Sequence, residues 1–80
     1  MAVSTALKPA RKESEMQALA SVHMNNNRLT PREFFRSAYM WRFGKDIPPN
    51  SLDADIEAFQ YTGKLQPYAV DYLINCYGAH

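Results

Sequence analysis

Leu29-Thr30-Pro31-Arg32-Glu33-Phe34-Phe35, the stretch LTPREFF, carries the clearest local instruction in the chain. Thr30 has the hydroxyl of an N-cap, Pro31 suits the first helical position, and Glu33 stands three residues after the cap, where its carboxylate can reach back to the cap's own N–H. Leu29 before the cap and Phe34 at the fourth helical position are spaced as a hydrophobic staple. The pattern predicts a helix from Pro31 to Phe43, stopped by Gly44 in the left-handed conformation.

The body of that helix is unusual. Phe34, Phe35, Ala38, Tyr39, Met40, Trp41 and Phe43 cover more than one stripe of it, with Arg32, Arg36 and Arg42 beside them. Phe34, Phe35, Ala38 and Trp41 are the residues expected in the core. Tyr39, Met40 and Phe43 exceed what a small interior can enclose, so part of that group is expected to face outward.

The same grammar predicts three more helices on either side. Ser14-Glu15-Met16-Gln17 has capping-box form and Met16, Leu19, Ala20 and His23 continue at helical spacing, so a first helix spans about 14–24 and Asn25-Asn26-Asn27 ends it. After the loop 45–50, in which Ile47 can plug into the core, Asn50 or Ser51 is the expected cap of a third helix. Leu52, Ile56 and Phe59 point inward there, Asp53 and Asp55 suit its positive end, and Gly63 closes it. Pro67 opens a fourth, with Val70, Leu73, Ile74 and Tyr77 as its apolar face and Gly78 as its stop. The link 62–66 is short, so the last two helices are expected as an antiparallel pair or a steeper corner. Strand-like alternation is absent from the sequence. The reading is an all-α, compact four-helix single domain over 14–80, preceded by a loose N-terminal arm, 1–13.

Composition sets the outer bounds. Eighty residues imply one domain with a modest core. A net charge of +1 gives no whole-molecule field for nucleic acid or membrane. Charge is segregated, however. Arg28, Arg32, Arg36, Arg42 and Lys45 stand against Glu33 alone, and Asp46, Asp53, Asp55 and Glu57 come after them with no base among them. Two solvated faces that attract each other explain this most simply, and a dipolar surface meeting a charged partner is the sharper alternative. Cys76 is the only cysteine, which suits a reducing compartment such as the cytoplasm. No apolar run approaches the roughly 20 residues that span a bilayer. The first twelve residues have the acid-free, basic character of an organellar presequence, but the stretch is short and Pro9 interrupts it.

The chemistry-bearing residues are few. Cys76, His23 and His80 are the candidates for nucleophilic catalysis, and nothing in their spacing assembles a nucleophile, a base and an orienting group. Cys76 reads as a small buried residue. Asp53 and Glu57 share a helix face but read as solvated. Cys76 and His80 are four apart with no further metal ligand near them, and the glycines are isolated stops rather than a phosphate-cradling loop. The expectation is a protein without enzymatic activity, cofactor or metal.

Two binding functions remain. Trp, Tyr and Arg dominate protein interface hot spots, and the second helix is rich in them. Its Arg32, Arg36, Tyr39, Met40, Arg42 and Phe43 form the expected partner-binding surface, with Asp53, Asp55 and Glu57 as a second contact. The partner would be a larger protein or complex whose surface is occupied by an inhibitor, adaptor or small subunit. Small size and absent chemistry fit the type of phage- or mobile-element-encoded proteins that block host machinery. A two-fold homodimer is another way to cover the same aromatics. The alternative is nucleic acid gripped by the basic, aromatic second helix. A helix-turn-helix would have to use the third and fourth helices. The fourth carries Asp71 as its one charged residue and no Arg or Lys, so it is a poor reader of DNA.

Overall fold

A computed structural model describes residues 13–78 of the chain. Four helices succeed one another: α1 (Glu13–Asn27), α2 (Pro31–Phe43), α3 (Pro49–Thr62) and α4 (Pro67–Tyr77). The described residues contain no strand. Helix α2 packs on both α4 and α3, and α1 packs on α4. The last two helices, expected as a hairpin or corner, are therefore not a main packed pair; α2 is the element they share. The arm lies outside the described residues apart from Glu13, as do the presequence reading and His80.

LTPREFF folds as its spacing predicts. The Glu33 amide donates to the Thr30 hydroxyl at 3.2 Å, and the Thr30 amide donates to a Glu33 carboxylate oxygen at 2.9 Å. Two otherwise orphaned helix donors are thereby satisfied, which is worth about 1 kcal/mol. At the far end Gly44 adopts φ 73° and its amide donates to the Met40 carbonyl at 2.8 Å.

The junction before it differs from expectation. Helix α1 continues through the three asparagines to Asn27, and Arg28 takes the left-handed conformation with φ 56°. The Leu29 amide donates to the Met24 carbonyl at 2.8 Å and the Arg28 amide to the Asn25 carbonyl at 3.3 Å, a Schellman closure with arginine where glycine is usual. Asn27 supports the extension by donating its side-chain amide to the His23 carbonyl at 2.9 Å. Leu29 thus closes α1 and precedes the cap of α2 in one residue. Ser14 lies within α1 and is not its cap.

Helix α3 starts earlier than its polar residues suggest. Pro48 is the N-cap and Pro49 the first helical residue; neither Asn50 nor Ser51 caps it, and Asp53 falls beyond the first turn. The fixed φ of Pro49 already fits a first helical turn, which has no need of that residue's N–H. Gly63 closes α3 at φ 75°, and a Cβ placed there would come within 2.5 Å of the Gln17 side chain of α1.

The core gathers Met16, Ala20 and Met24 of α1, Phe34, Phe35 and Ala38 of α2, Ile47, Leu52 and Phe59, and Leu65, Tyr68, Ala69 and Leu73 around α4. Phe34 and Phe35 are fully enclosed, their rings edge to face at 5.2 Å, and Phe35 meets Phe59 and Tyr68 in the same manner. On α4 the buried face is Tyr68, Ala69 and Leu73, while Val70 and Ile74 are half-buried and Tyr77 is exposed, so this face is rotated from the expected one. Covered by both α2 and α1, α4 buries the side lying between them.

Candidate functional site

The second helix turns its large apolar residues toward the core, toward solvent and toward the rim between them. Phe34, Phe35 and Ala38 are enclosed, but Met40 is 44 %, Trp41 44 % and Phe43 48 % exposed, and Tyr39 is half-buried. The reason is positional. Phe34, Phe35 and Ala38 face the core, Met40 and Phe43 lie on the side turned away from it, and Trp41 lies at the rim between the two. Trp41, expected in the core, instead stands at its edge against Tyr72, with ring centroids 5.7 Å apart.

Around these residues is an open depression of about 630 Å³ that crosses the outer face of α2. Leu29, Met40, Trp41 and Tyr72 supply its apolar part, and Glu33, Arg36 and Asp46 its charged rim. A second aromatic corner lies beside it. Tyr39 packs on Phe43 at 4.6 Å and on Tyr68 at 5.3 Å, and the Arg42 guanidinium sits 5.1 Å from the Phe43 ring centre. Arginine over an exposed ring is worth about 0.5–1 kcal/mol and keeps the charge beside an apolar surface.

The expected charged contacts are largely engaged within the chain. Arg32 pairs with Asp53 at 3.2 Å and Arg36 with Asp46 at 3.8 Å. The basic and acidic segments therefore attract each other across the α2–α3 side. Both pairs are well exposed, so each contributes well under about 1 kcal/mol. Asp55, expected as a partner contact, accepts a hydrogen bond from the Tyr68 hydroxyl. Burial, and then the Asp55 carboxylate, push the Tyr68 phenol well above its ordinary value of 10.0. Of the expected second contact patch, Glu57 is exposed to solvent.

The residues weighed for catalysis lie elsewhere. His23 is buried, as its spacing predicts, with its ring edge to face against Phe34, Tyr72 and Tyr77. Its Nδ1 shares a 2.7 Å hydrogen bond with the Tyr77 hydroxyl, which ties α1 to the end of α4. Tyr68 is buried and Tyr72 half-buried. Cys76 is exposed rather than buried. It borders Tyr72, whose phenol is raised by burial first and by Cys76 second. Among the described residues no three His, Cys, Asp or Glu side chains gather as metal ligands, and every buried side-chain nitrogen and oxygen has a partner.

Trp41 and Leu29 line the depression although spacing alone assigns them to the core and to the staple, and Tyr72 joins them from α4. The one signal in the sequence was the position of Trp41 in the last turn of its helix, where enclosure requires a neighbour of matching length. No helix among the described residues is long and apolar enough to cross a membrane. Compared with known proteins, the chain matches no family model, no curated protein and no solved structure.

Proposed function

We propose that this chain is a non-catalytic protein-binding module that occupies a surface of a larger protein or complex as an inhibitor, adaptor or small subunit. One observation carries the reading: Met40, Trp41 and Phe43 are each close to half exposed on the helix that also supplies the centre of the core. Exposed large apolar residues scattered singly are ordinary. Here three sit within one helical turn, next to Arg36, Tyr39 and Arg42, the residue types that carry interface energy. The occupant is a protein segment that inserts a large apolar side chain beside Trp41, because the depression has an apolar floor and a rim of both charge signs. The lone exposed Cys76 suits a reducing cytoplasm.

Nucleic acid is the weaker reading. Arg32 and Arg36 already face Asp53 and Asp46, so the phosphate-seeking charge of α2 is partly neutralised within the chain.

Trp41 is the only tryptophan, so its emission reports occupancy of the depression directly. The chain is used to capture its partner, and the purified pair is then titrated. A blue shift in emission with saturable one-to-one binding is expected. Met40→Arg should weaken binding by at least about tenfold with helicity unchanged, while Arg32→Ala changes it little. Unchanged affinity in Met40→Arg would remove this face from the function. Tight binding to mixed-sequence DNA or RNA that falls steeply with salt would favour the nucleic-acid reading instead.

A further inference from the structure

The outer face of α2 has an order of residues that matters for a second occupant. Glu33, Arg36 and Met40 project within about 60° of one another around the helix, at about 100° per residue. Leu29 continues the row just before the cap, and all four line the same depression. Along the row the types run apolar, acid, base, apolar, at positions 29, 33, 36 and 40.

That order is self-complementary. Set a second α2 antiparallel to the first, related by a two-fold axis passing between Phe34 and Phe35 in register. Leu29 then faces Met40 of the other copy, and Glu33 faces its Arg36. The two-fold repeats both pairings, as an isologous interface requires. Other registers lose the match; a shift that centres the axis on Ser37 sets Glu33 against Trp41.

We infer that this chain pairs with a second copy of itself through the row Leu29, Glu33, Arg36 and Met40, with two intermolecular Glu33–Arg36 ion pairs between two apolar ends. Both groups keep hydrogen-bonding capacity beyond their contacts within the chain. The Arg36 guanidinium has five donors, and its contact with Asp46 is long at 3.8 Å. Glu33 uses Oε1 for the Thr30 cap and retains acceptor sites on its carboxylate. Ser37 beside the row is small and exposed, so the two backbones can approach.

The interface is weak by its size. A 13-residue helix is about 20 Å long, and one of its faces against itself buries less than about 1,200 Å², the range of transient contacts. A dissociation constant on the order of 100 µM is expected. The dimer covers Met40, the residue proposed above to meet a partner protein, so self-pairing and docking exclude each other. A tighter-binding partner displaces the second copy, and the dimer keeps the apolar face covered until then.

The test is sedimentation equilibrium of the 80-residue chain from about 10 µM to 1 mM, with circular dichroism as the fold control. The wild type should move from monomer toward dimer over that range. Arg36→Glu sets acids against acids at both contacts, and Glu33→Arg sets bases against bases, so each alone should stay monomeric. Mixed in equal amounts, the two variants restore opposite charges at both contacts and should form a heterodimer. A wild type that stays monomeric throughout overturns the inference, as does a mixture of folded variants that fails to pair. Should Glu33→Arg not fold, Glu33→Gln keeps the capping box and Met40→Arg removes an apolar end; a dimer indifferent to both overturns it equally. The outcome is separate from that of partner capture: a monomeric chain that still captures a partner leaves the docking proposal standing, and a dimeric one that captures nothing leaves this one.

Discussion

The two faces of α2 are built from the same kinds of residue and meet different fates. Phe34 and Phe35 are enclosed to the last atom, while Met40, Trp41 and Phe43, five to nine residues on, remain close to half exposed. Hydrophobicity does not separate them. What separates them is direction around the helix: Met40 and Phe43 lie on the side turned away from the core, and Trp41, on the same side as Phe34, stands at the core's rim against Tyr72. Spacing assigns Trp41 to the core beside Phe34 and Ala38, and the structure places it at the rim of that face, 44 % exposed. In a small domain the supply of neighbouring chain, rather than the apolar character of a side chain, decides what is hidden.

Substitutions on the inner face should be the most damaging. Phe35→Ala empties a site ringed by Phe34, Phe59 and Tyr68 and should cost about 3–5 kcal/mol. Against a total of roughly 5–15 kcal/mol for domains of this kind, the thermal midpoint should fall steeply or the transition vanish. A loss under about 1 kcal/mol would mean that the inner face is not the anchor of the fold.

The cap serves both faces at once. Thr30→Ala removes the hydroxyl that receives the Glu33 amide and should lower stability by about 1–2 kcal/mol in a denaturant titration. Retention of the wild-type midpoint would show that packing alone holds the start of α2.

Tyr68→Phe examines the edge of the inner face. It deletes the hydroxyl that donates to Asp55 and should cost about 1 kcal/mol at neutral pH. The pH dependence has a definite sign. Folding raises the Tyr68 phenol above its ordinary value of 10.0, so the folded chain holds that proton more tightly than the unfolded chain does. The corresponding stability is complete below about pH 10 and is lost as pH rises above it. Tyr72 is shifted in the same direction. The alkaline decline of the wild type should therefore be shallower in Tyr68→Phe; identical slopes would contradict the buried phenol.

At the rim between the faces Trp41→Ser should change stability by no more than about 1 kcal/mol, since the ring is half exposed and rests mainly on Tyr72. Its effect should appear in partner affinity. A destabilisation comparable to that of Phe35→Ala would abolish the distinction between the two faces.

Much of the fold is legible in the sequence, for an identifiable reason. The cap at Thr30, the stops at Gly44, Gly63 and Gly78, and the proline starts at Pro31 and Pro67 are all satisfied by residues within four positions of one another. Where a non-standard residue performs the same task, spacing misleads: Arg28 in the left-handed conformation lets α1 run three residues past its expected end, and Pro48 with Pro49 begins α3 before any polar cap. The site is less legible. Arg32, Arg36 and Asp53 read as outward contacts and are exposed, though each also forms an ion pair within the chain, and Asp55 accepts a hydrogen bond from Tyr68. Met40 and Phe43 read as outward and are exposed.

Local sequence settled the number of helices, most of their starts and stops, and the excess of aromatic and arginine side chains on the second of them, because hydrogen bonding and backbone geometry over a few residues suffice for those. The tertiary arrangement alone decided which side of that helix is covered, that α2 rather than the α3–α4 pair is the packing centre, and that an open depression forms beside Trp41. Those outcomes depend on where helices distant in sequence end in space, and no spacing within one helix encodes the length of its neighbours.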